Sequence, residues 1–342
     1  MLTEEECEVI KEELLTSKNP IYLFHDDPDG LASFMLLYRF LKEGKGFVVK
    51  AFPQITTSFI NKTVDHDKVF ILDIAIVDQE FIDQVKKPVI WIDHHNLLER
   101  NNVLYFNSRK RNNLNIPTPS LCYQVVKQDL WIAFTGCIGD WYVPDFVDDF
   151  VKQFPDLCPE KKTIQDFYFN STVGKLIKIF SFNLKGDGKD VLKSIKSITK
   201  INSPYEILNQ ETDEGKFLHK RYEKINEHYD LLLKNALSQN PKGKLFIFTY
   251  KDDNLSLTKD LSNELMYKLS DKIIILGREK DGEYRCSFRT SLRINLSNIL
   301  QKAIVGVDGY CGGHEQACGG AIKKYDFNKF LENLEKELID IK

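Results

Sequence analysis

The sequence predicts an α/β protein of two α/β domains. The first has a largely parallel sheet with helices on both faces. A helical connector follows, and then a smaller C-terminal domain with a mixed sheet. Three observations lead there. The chain has 342 residues, for which two domains are the default expectation. From residue 20 to residue 137, short β-type apolar runs alternate with helical periodicity, the pattern of strand-helix-strand units. After Pro241 a second, separate set of β-type runs begins. The expected boundaries are 1–190 for the first domain, 191–240 for the connector (centred on 216–238), and 241–342 for the second domain.

Each element has its own signal. Residues 4–16 carry amphipathic spacing and read as a helix. Ile21-Tyr-Leu-Phe24 is a buried-type strand, placed over 20–25, and Leu31 to Glu43 is helical, ending near Gly44. Phe47 to Phe52 and Lys68 to Ile74 read as strands, and Gln79 to Lys86 as a helix. Pro88-Val-Ile-Trp-Ile92 is a fully apolar strand, and Val103 to Asn107 a short one. Pro117 to Lys127 and Trp131 to Cys137 are helical. Residues 144–235 show helical spacing with little strand signal, interrupted at Gly186-Asp-Gly188 and Asn202-Ser-Pro204. In the second domain, Lys244 to Tyr250, Lys272 to Leu276 and Tyr284 to Thr290 are β-type. Leu296 to Lys302 is helical, and the glycine-rich segment 306–320 reads as a loop. There is no internal repeat and no low-complexity tract.

Composition narrows the function classes. Hydrophobic residues make up 42% and charged residues 28% of the chain, ordinary for a globular protein. A net charge of −3 gives no whole-molecule attraction for a polyanion, so any such contact needs a local basic patch. No apolar run approaches the ~18–20 residues that span a bilayer, so no membrane association is expected. The acidic start, Met1-Leu-Thr-Glu-Glu-Glu-Cys7, lacks a signal-peptide apolar stretch. Seven cysteines, an odd number without a closely spaced pair, fit a reducing, cytoplasmic setting.

Three apolar strands run directly into metal-competent side chains. The first leads into His25-Asp26-Asp27-Pro28-Asp29-Gly30, the second into Asp73 and the third into Asp93-His94-His95. Such residues make no sense as core, but they do make sense at the C-terminal edge of a parallel sheet, where α/β proteins place their sites. Asp140, in Gly136-Cys-Ile-Gly139-Asp140, adds a further carboxylate, and the small residues before it would let its helix approach the sheet closely. The ligand set is thus His25, Asp27, Asp29, Asp73, His94, His95 and Asp140. Carboxylates suit magnesium and manganese, and imidazole tilts the preference to manganese. One carboxylate commonly bridges a metal pair ~3.5–4 Å apart, and Asp73, alone after its strand, is the bridging candidate. Taken singly, Asp73 and Asp140 also read as caps or turn formers, and Asp27-Pro28-Asp29-Gly30 as a turn.

These motifs, in this order, resemble the four successive motifs of the DHH phosphoesterase superfamily. The resemblance implies two divalent metals, manganese preferred and magnesium permitted, and hydrolysis of phosphoric esters. It places His25 and Asp29 on one metal, and Asp27, His94 and Asp140 on the other, with Asp73 between them. His95 would face the scissile phosphate or stand behind the metal ligands, and Asp93 would orient an imidazole. The first motif is closer to the RecJ spacing than to the nanoRNase spacing, with His where RecJ usually has Asp.

The second dense signal is Cys311-Gly312-Gly313-His314-Glu-Gln-Ala317-Cys318-Gly319. Glycines let backbone N–H groups approach a phosphate. Zinc on Cys311, His314 and Cys318 is the competing reading, short of a fourth ligand. The segment resembles the glycine-histidine motif of the DHH-associated domain, with Cys311 in place of the first glycine. By that resemblance His314 acts on the substrate, and Gly312 and Gly313 line it. Strand alternation puts Arg285, Ser287 and Arg289 on one face, where Ser287 and Arg289 would hold a phosphate. Arg109, Lys110 and Arg111 form a basic cluster in which Arg109 and Arg111 are candidates for tracking a nucleic-acid backbone, beside the plainer reading of solvated charge.

Together these expectations describe an exonuclease. It would shorten single-stranded RNA or DNA or short oligonucleotides to mononucleotides, by 3′-end trimming in the manner of compact archaeal-type members. Cleavage of cyclic or linear dinucleotides or adenosine bisphosphate is the alternative, and a catalytically silent replication scaffold the third reading. A helicase or replisome partner is left open, as is the oligomeric state.

Overall fold

Residues 21–24, 69–72 and 89–93 are buried on both sides, which suits strands in the middle of a sheet covered on both faces. The computed structural model describes residues 1–50, 54–241, 243–252 and 255–339. They divide into two units, one of residues 1–184 and 189–222, the other of residues 185–188 and 223–342.

In chain order the first unit contains α1 (Glu4–Leu15), β1 (Ile21–His25), α2 (Pro28–Leu41), β2 (Lys45–Val49), β3 (Gln54–Ile55) and α3 (Ile60–Thr63). Next come β4 (Val69–Leu72), β5 (Ile76–Val77), α4 (Gln79–Val85), β6 (Val89–Asp93), β7 (Leu104–Asn107) and α5 (Arg109–Asn112). Helices α6 (Thr118–Val126), α7 (Leu130–Gly139), α8 (Val147–Gln153), α9 (Ile164–Phe169), α10 (Thr172–Asn183), α11 (Gly188–Ile198) and α12 (Pro204–Leu208) follow. The division between the units falls inside α13 (Asp213–Leu237).

Five parallel strands form the main sheet, in the order β2-β1-β4-β6-β7. On one face, Tyr22 and Phe24 meet Phe34 of α2, the Phe24 and Phe34 rings stacking at 4.6 Å. On the other face, Leu23, Ile71 and Trp91 pack with Phe81, Ile82 and Val85 of α4. The register aligns Phe24 with Leu72 and Leu72 with Ile92. One residue further on, three adjacent strands therefore deliver His25, Asp73 and Asp93 to the same edge.

The second unit contains β8 (Leu245–Lys251), α14 (Thr258–Lys268), β9 (Ile273–Lys280), β10 (Glu283–Thr290) and α15 (Leu296–Ala303). It ends with β11 (Gly309–Gly313), β12 (Ala317–Lys323) and α16 (Phe327–Ile339). Its sheet is mixed, in the order β11-β12-β10-β9-β8, with only β8 and β9 parallel. Ile273, Ile275, Phe288, Leu300, Phe330 and Leu334 lie in its core. No helix among the described residues is long and apolar enough to cross a membrane.

Several local readings change. The first-domain strand expected over 47–52 runs from Lys45 to Val49, and residues 51–52 lie outside the described residues. The segment 306–320 is mostly a hairpin, with Gly312 opposite Gly319 and Cys311 opposite Gly320. Glycine is a poor strand former in isolation, but here pairing with β12, itself held by β10, fixes the backbone. Helices α14 and α16 carried no distinct sequence reading. The small residues of α7 bring it against another helix, not the sheet. A Cβ on Gly136 would lie 2.5 Å from the Ala32 Cβ, and one on Gly139 would lie 2.8 Å from the Pro28 Cβ.

Candidate metal centre

Each group at this site is placed by a local device. Asp27 caps α2, its Oδ1 accepting from the Gly30 N–H at 3.1 Å, with Pro28 preset for the first helical turn. Gly30 is required there, because a Cβ would lie 2.5 Å from the His25 carbonyl oxygen. Asp73 follows β4 with φ +56°, in the left-handed region that asparagine and aspartate tolerate better than most. Asp140 caps the end of α7, which Gly139 seats against α2.

The resulting distances are short. Nδ1 of His25 lies 3.0 Å from Asp27 Oδ2 and 3.4 Å from Asp73 Oδ2. Nε2 of His94 lies 3.2 Å from Asp73 Oδ1, 3.8 Å from Asp140 Oδ2 and 3.9 Å from Asp29 Oδ2. Nδ1 of His95 is 2.8 Å from Asp93 Oδ1 and 3.8 Å from Asp73 Oδ1. Three sets of ligand atoms gather within 4.8 Å: His25 with Asp27 and Asp73, Asp29 with His94 and Asp140, and Asp73 with His94 and His95. Asp73 is common to two of them.

This grouping exchanges two expected partners. Asp27 joins His25, and Asp29 joins His94 and Asp140. Motif spacing alone does not say which carboxylate faces which way. As the cap, Asp27 stays beside β1, while Asp29 stands one residue into the helix against which α7 packs.

The site holds more negative charge than its own cations offset. Burial, and then the neighbouring Asp73 carboxylate, push Asp29 well above the usual carboxylate range. Burial and the Asp27 charge also raise Asp73, but the neighbouring imidazoles of His25 and His94 outweigh them and hold it low. Burial disfavours the charged forms of both histidines, yet nearby carboxylates hold them well above their ordinary values, Asp27 and Asp73 at His25, and Asp73, Asp140 and Asp29 at His94. Both oxygens of Asp29 and one of Asp73 are buried without a hydrogen-bond partner. Buried carboxylates normally find a donor or a cation. Orphaned oxygens among imidazoles are what a divalent metal would complete, so these residues fit the ions that the sequence implied.

Further residues support these groups. Asn115 Oδ1 is 2.8 Å from His94 Nδ1, the pairing that would leave Nε2 directed at the carboxylates. The Asn107 amide donates to Asp93 Oδ2 and to the His95 carbonyl. Its position at the end of a strand beside Asp93 was the available clue. Arg109 Nε donates to the His94 carbonyl, and Arg111 pairs with Glu6 at 2.9 Å.

In the second unit, Ser287 is buried with its hydroxyl 2.9 Å from that of Ser262. Arg289 donates through Nε to Asn263 and through Nη1 to the Phe288 and Cys318 carbonyls. Both side chains thus meet α14, the helix the sequence reading lacked. Arg285 pairs with Glu283 and is exposed. Gly312 and Gly313 end β11, and exposed His314 begins the turn, its N–H bonded to the Ala317 carbonyl. With Asn295, Ser297 and Asn298, the turn lines an open depression of about 500 Å³. The thiol of Cys311 turns to the Leu300 carbonyl and that of Cys318 to the His314 carbonyl. Among the described residues they form no metal group.

The family model described as the DHH family N-terminal domain matches residues 21–133, and the DHHA1 domain model matches 243–340. The chain belongs to the DHH superfamily. Among solved structures, RecJ from Thermus thermophilus in complex with Mn2+ aligns with a TM-score of 0.73 at 14% identity, over 100% of this DHH chain. The chain spans 56% of that protein's length. An exonuclease RecJ bound to manganese aligns at 0.63 and 15% identity, covering 100% of this chain and 96% of that one. The pGpG-specific phosphodiesterase PggH from Vibrio cholerae aligns at 0.50 and 14% identity, over 94% of this chain and 100% of that one. At these identities the likeness establishes the fold. Comparison with curated protein sequences gives no match.

Proposed function

We propose that this DHH protein is a metal-dependent phosphodiesterase that shortens single-stranded or short oligonucleotides from an end. The observation that carries the reading is the convergence of His25, Asp27, Asp29, His94, His95 and Asp140 around Asp73, with buried carboxylate oxygens left unpartnered. In this reading His25 and Asp27 would hold one divalent ion, Asp29, His94 and Asp140 would hold a second, and Asp73 would contribute to both. Manganese is the preferred metal, as the mixed imidazole and carboxylate set favours. Bound there, the pair would supply an activated water and neutralise charge on the leaving oxygen. His95, held by Asp93 through Nδ1, keeps its ring oriented for the phosphate. His314, with Gly312 and Gly313, is assigned to the substrate. Arg289 and Ser287 take a supporting part there, since α14 already engages both. Arg109 braces His94, and Arg111 is committed to Glu6, so neither is assigned to the nucleic-acid backbone.

Exonuclease action is supported by the fold shared with RecJ over nearly equal length in one case. A second reading, hydrolysis confined to dinucleotides, is favoured by the alignment with PggH over that protein's whole chain.

One experiment separates them: digestion, with added manganese, of RNA and DNA ladders of increasing length from dinucleotides upward, labelled at either end. Stepwise shortening supports the exonuclease, and the label released first gives the direction. Cleavage of dinucleotides alone supports the second reading. Asp73→Ala should reduce either activity to background in a protein that still folds. Persistent activity in that variant would remove the metal assignment.

A further inference from the structure

Directly after Asp140 the chain makes a Schellman turn. The Trp141 N–H bonds to the Ile138 carbonyl and the Tyr142 N–H to the Cys137 carbonyl, each at 3.0 Å. Trp141 occupies the left-handed position of this turn, with φ +59°. Glycine is the usual occupant there, because a side chain crowds the following carbonyl. Tryptophan, among the bulkiest choices, bears that strain next to a residue of the metal cluster. Strain of this kind persists where the surroundings hold it, and it gathers at functional sites.

The indole is also packed against two neighbouring rings. It lies nearly parallel to the Tyr168 ring, 5.2 Å away at 15°, and Phe169 meets it at 5.8 Å. Tyr168 is buried, yet Trp141 remains partly exposed. Core packing alone would be served by an aliphatic side chain at a relaxed position. A partly open indole, packed against two aromatic rings and one residue after Asp140, suits a different task, since every nucleobase has a π face and aromatic stacking grips it without reading its sequence.

Resting on the phosphodiester reading above, we propose that Trp141 is the platform on which the substrate stacks a nucleobase, that of the nucleotide whose phosphate sits at the cluster. It sets the preference for nucleotide esters over phosphate esters that lack a base.

Tryptophan fluorescence gives a direct test. Of the three tryptophans in the chain, Trp91 is 0% exposed and Trp131 3%, so a ligand-dependent change reports Trp141. The full chain, loaded with manganese, is titrated with AMP and with ribose 5-phosphate, which differ in the base. AMP should quench the emission and bind about tenfold more tightly than ribose 5-phosphate, the scale of one base-aromatic stack. In Trp141→Gly, which suits the left-handed backbone but lacks the reporting indole, the two affinities are read by calorimetry; their ratio should collapse towards one, and KM for oligonucleotides should rise. Trp141→Phe should keep most of the ratio. An unchanged ratio in Trp141→Gly overturns the proposal. So does equal affinity for the two ligands in a wild-type protein that hydrolyses the ladder, and this outcome leaves the phosphodiesterase reading standing. If the wild type binds neither ligand and hydrolyses nothing, the phosphodiesterase reading fails and takes this one with it.

Discussion

Neither carboxylate oxygen of Asp29 accepts a hydrogen bond, although the residue is 1% exposed. Its ligand atom gathers with those of His94 and Asp140 within 4.8 Å. Two carboxylates at about that spacing repel by ~3–4 kcal/mol at an effective dielectric of 20. Asp29→Asn removes one of the charges while keeping the shape. In chelator, the variant should be more stable than the wild type by ~1–2 kcal/mol, the buried amide retaining part of the desolvation cost. With manganese the order should reverse, because the variant lacks an anionic ligand and should bind the metal at least about tenfold more weakly. Thermal melts with and without metal read both effects. A lower melting point for the metal-free variant would show that Asp29 is already satisfied by the protein.

Helix α7 shows how an element places a ligand. All ten of its residues, Leu130–Gly139, are buried, and its two glycines bring its backbone against α2. Asp140 reaches His94 only because of that approach. Gly139→Ala would put a Cβ 2.8 Å from Pro28 and 3.7 Å from Ile177. Denaturant unfolding should show a loss of ~1–3 kcal/mol, as overpacking costs, and manganese binding should weaken in the same variant. Gly188→Ala is the control, with nothing within 4 Å of its Cβ and an expected change within about 0.5 kcal/mol. Equal effects at the two glycines would remove the close-approach argument.

At the scale of the whole chain, each unit has a buried apolar cluster of its own, and among the described residues the gathered metal groups lie in the first unit. Metal binding stabilises the state that binds it, by ~2.7 kcal/mol at a hundredfold excess over Kd. Hydrogen exchange should therefore slow on adding manganese at the ends of β1, β4 and β6 and at the join of α7 and Asp140. The β9 and β10 core should change little. Equal protection of both units would place a metal outside the cluster or make the units one cooperative body.

Much of this was legible in the sequence, because strand ends announce themselves. An apolar run of four or five residues that stops at His25, Asp73 or Asp93 carries its edge position in one dimension, and parallel pairing in register does the rest. The alternation of strands and helices likewise gave the α/β class and the change of pattern after Pro241. What the sequence could not carry was direction and cover. Whether Asp27 or Asp29 joins His25 depends on which of them caps α2. Whether Ser287 and Arg289 face solvent depends on α14 lying over them, and Asn115 meets His94 across 21 residues of chain. Trp141 reads as an ordinary aromatic until the backbone places it in a glycine position. Those facts arise from packing between segments distant in sequence, and local propensity holds no record of such contacts.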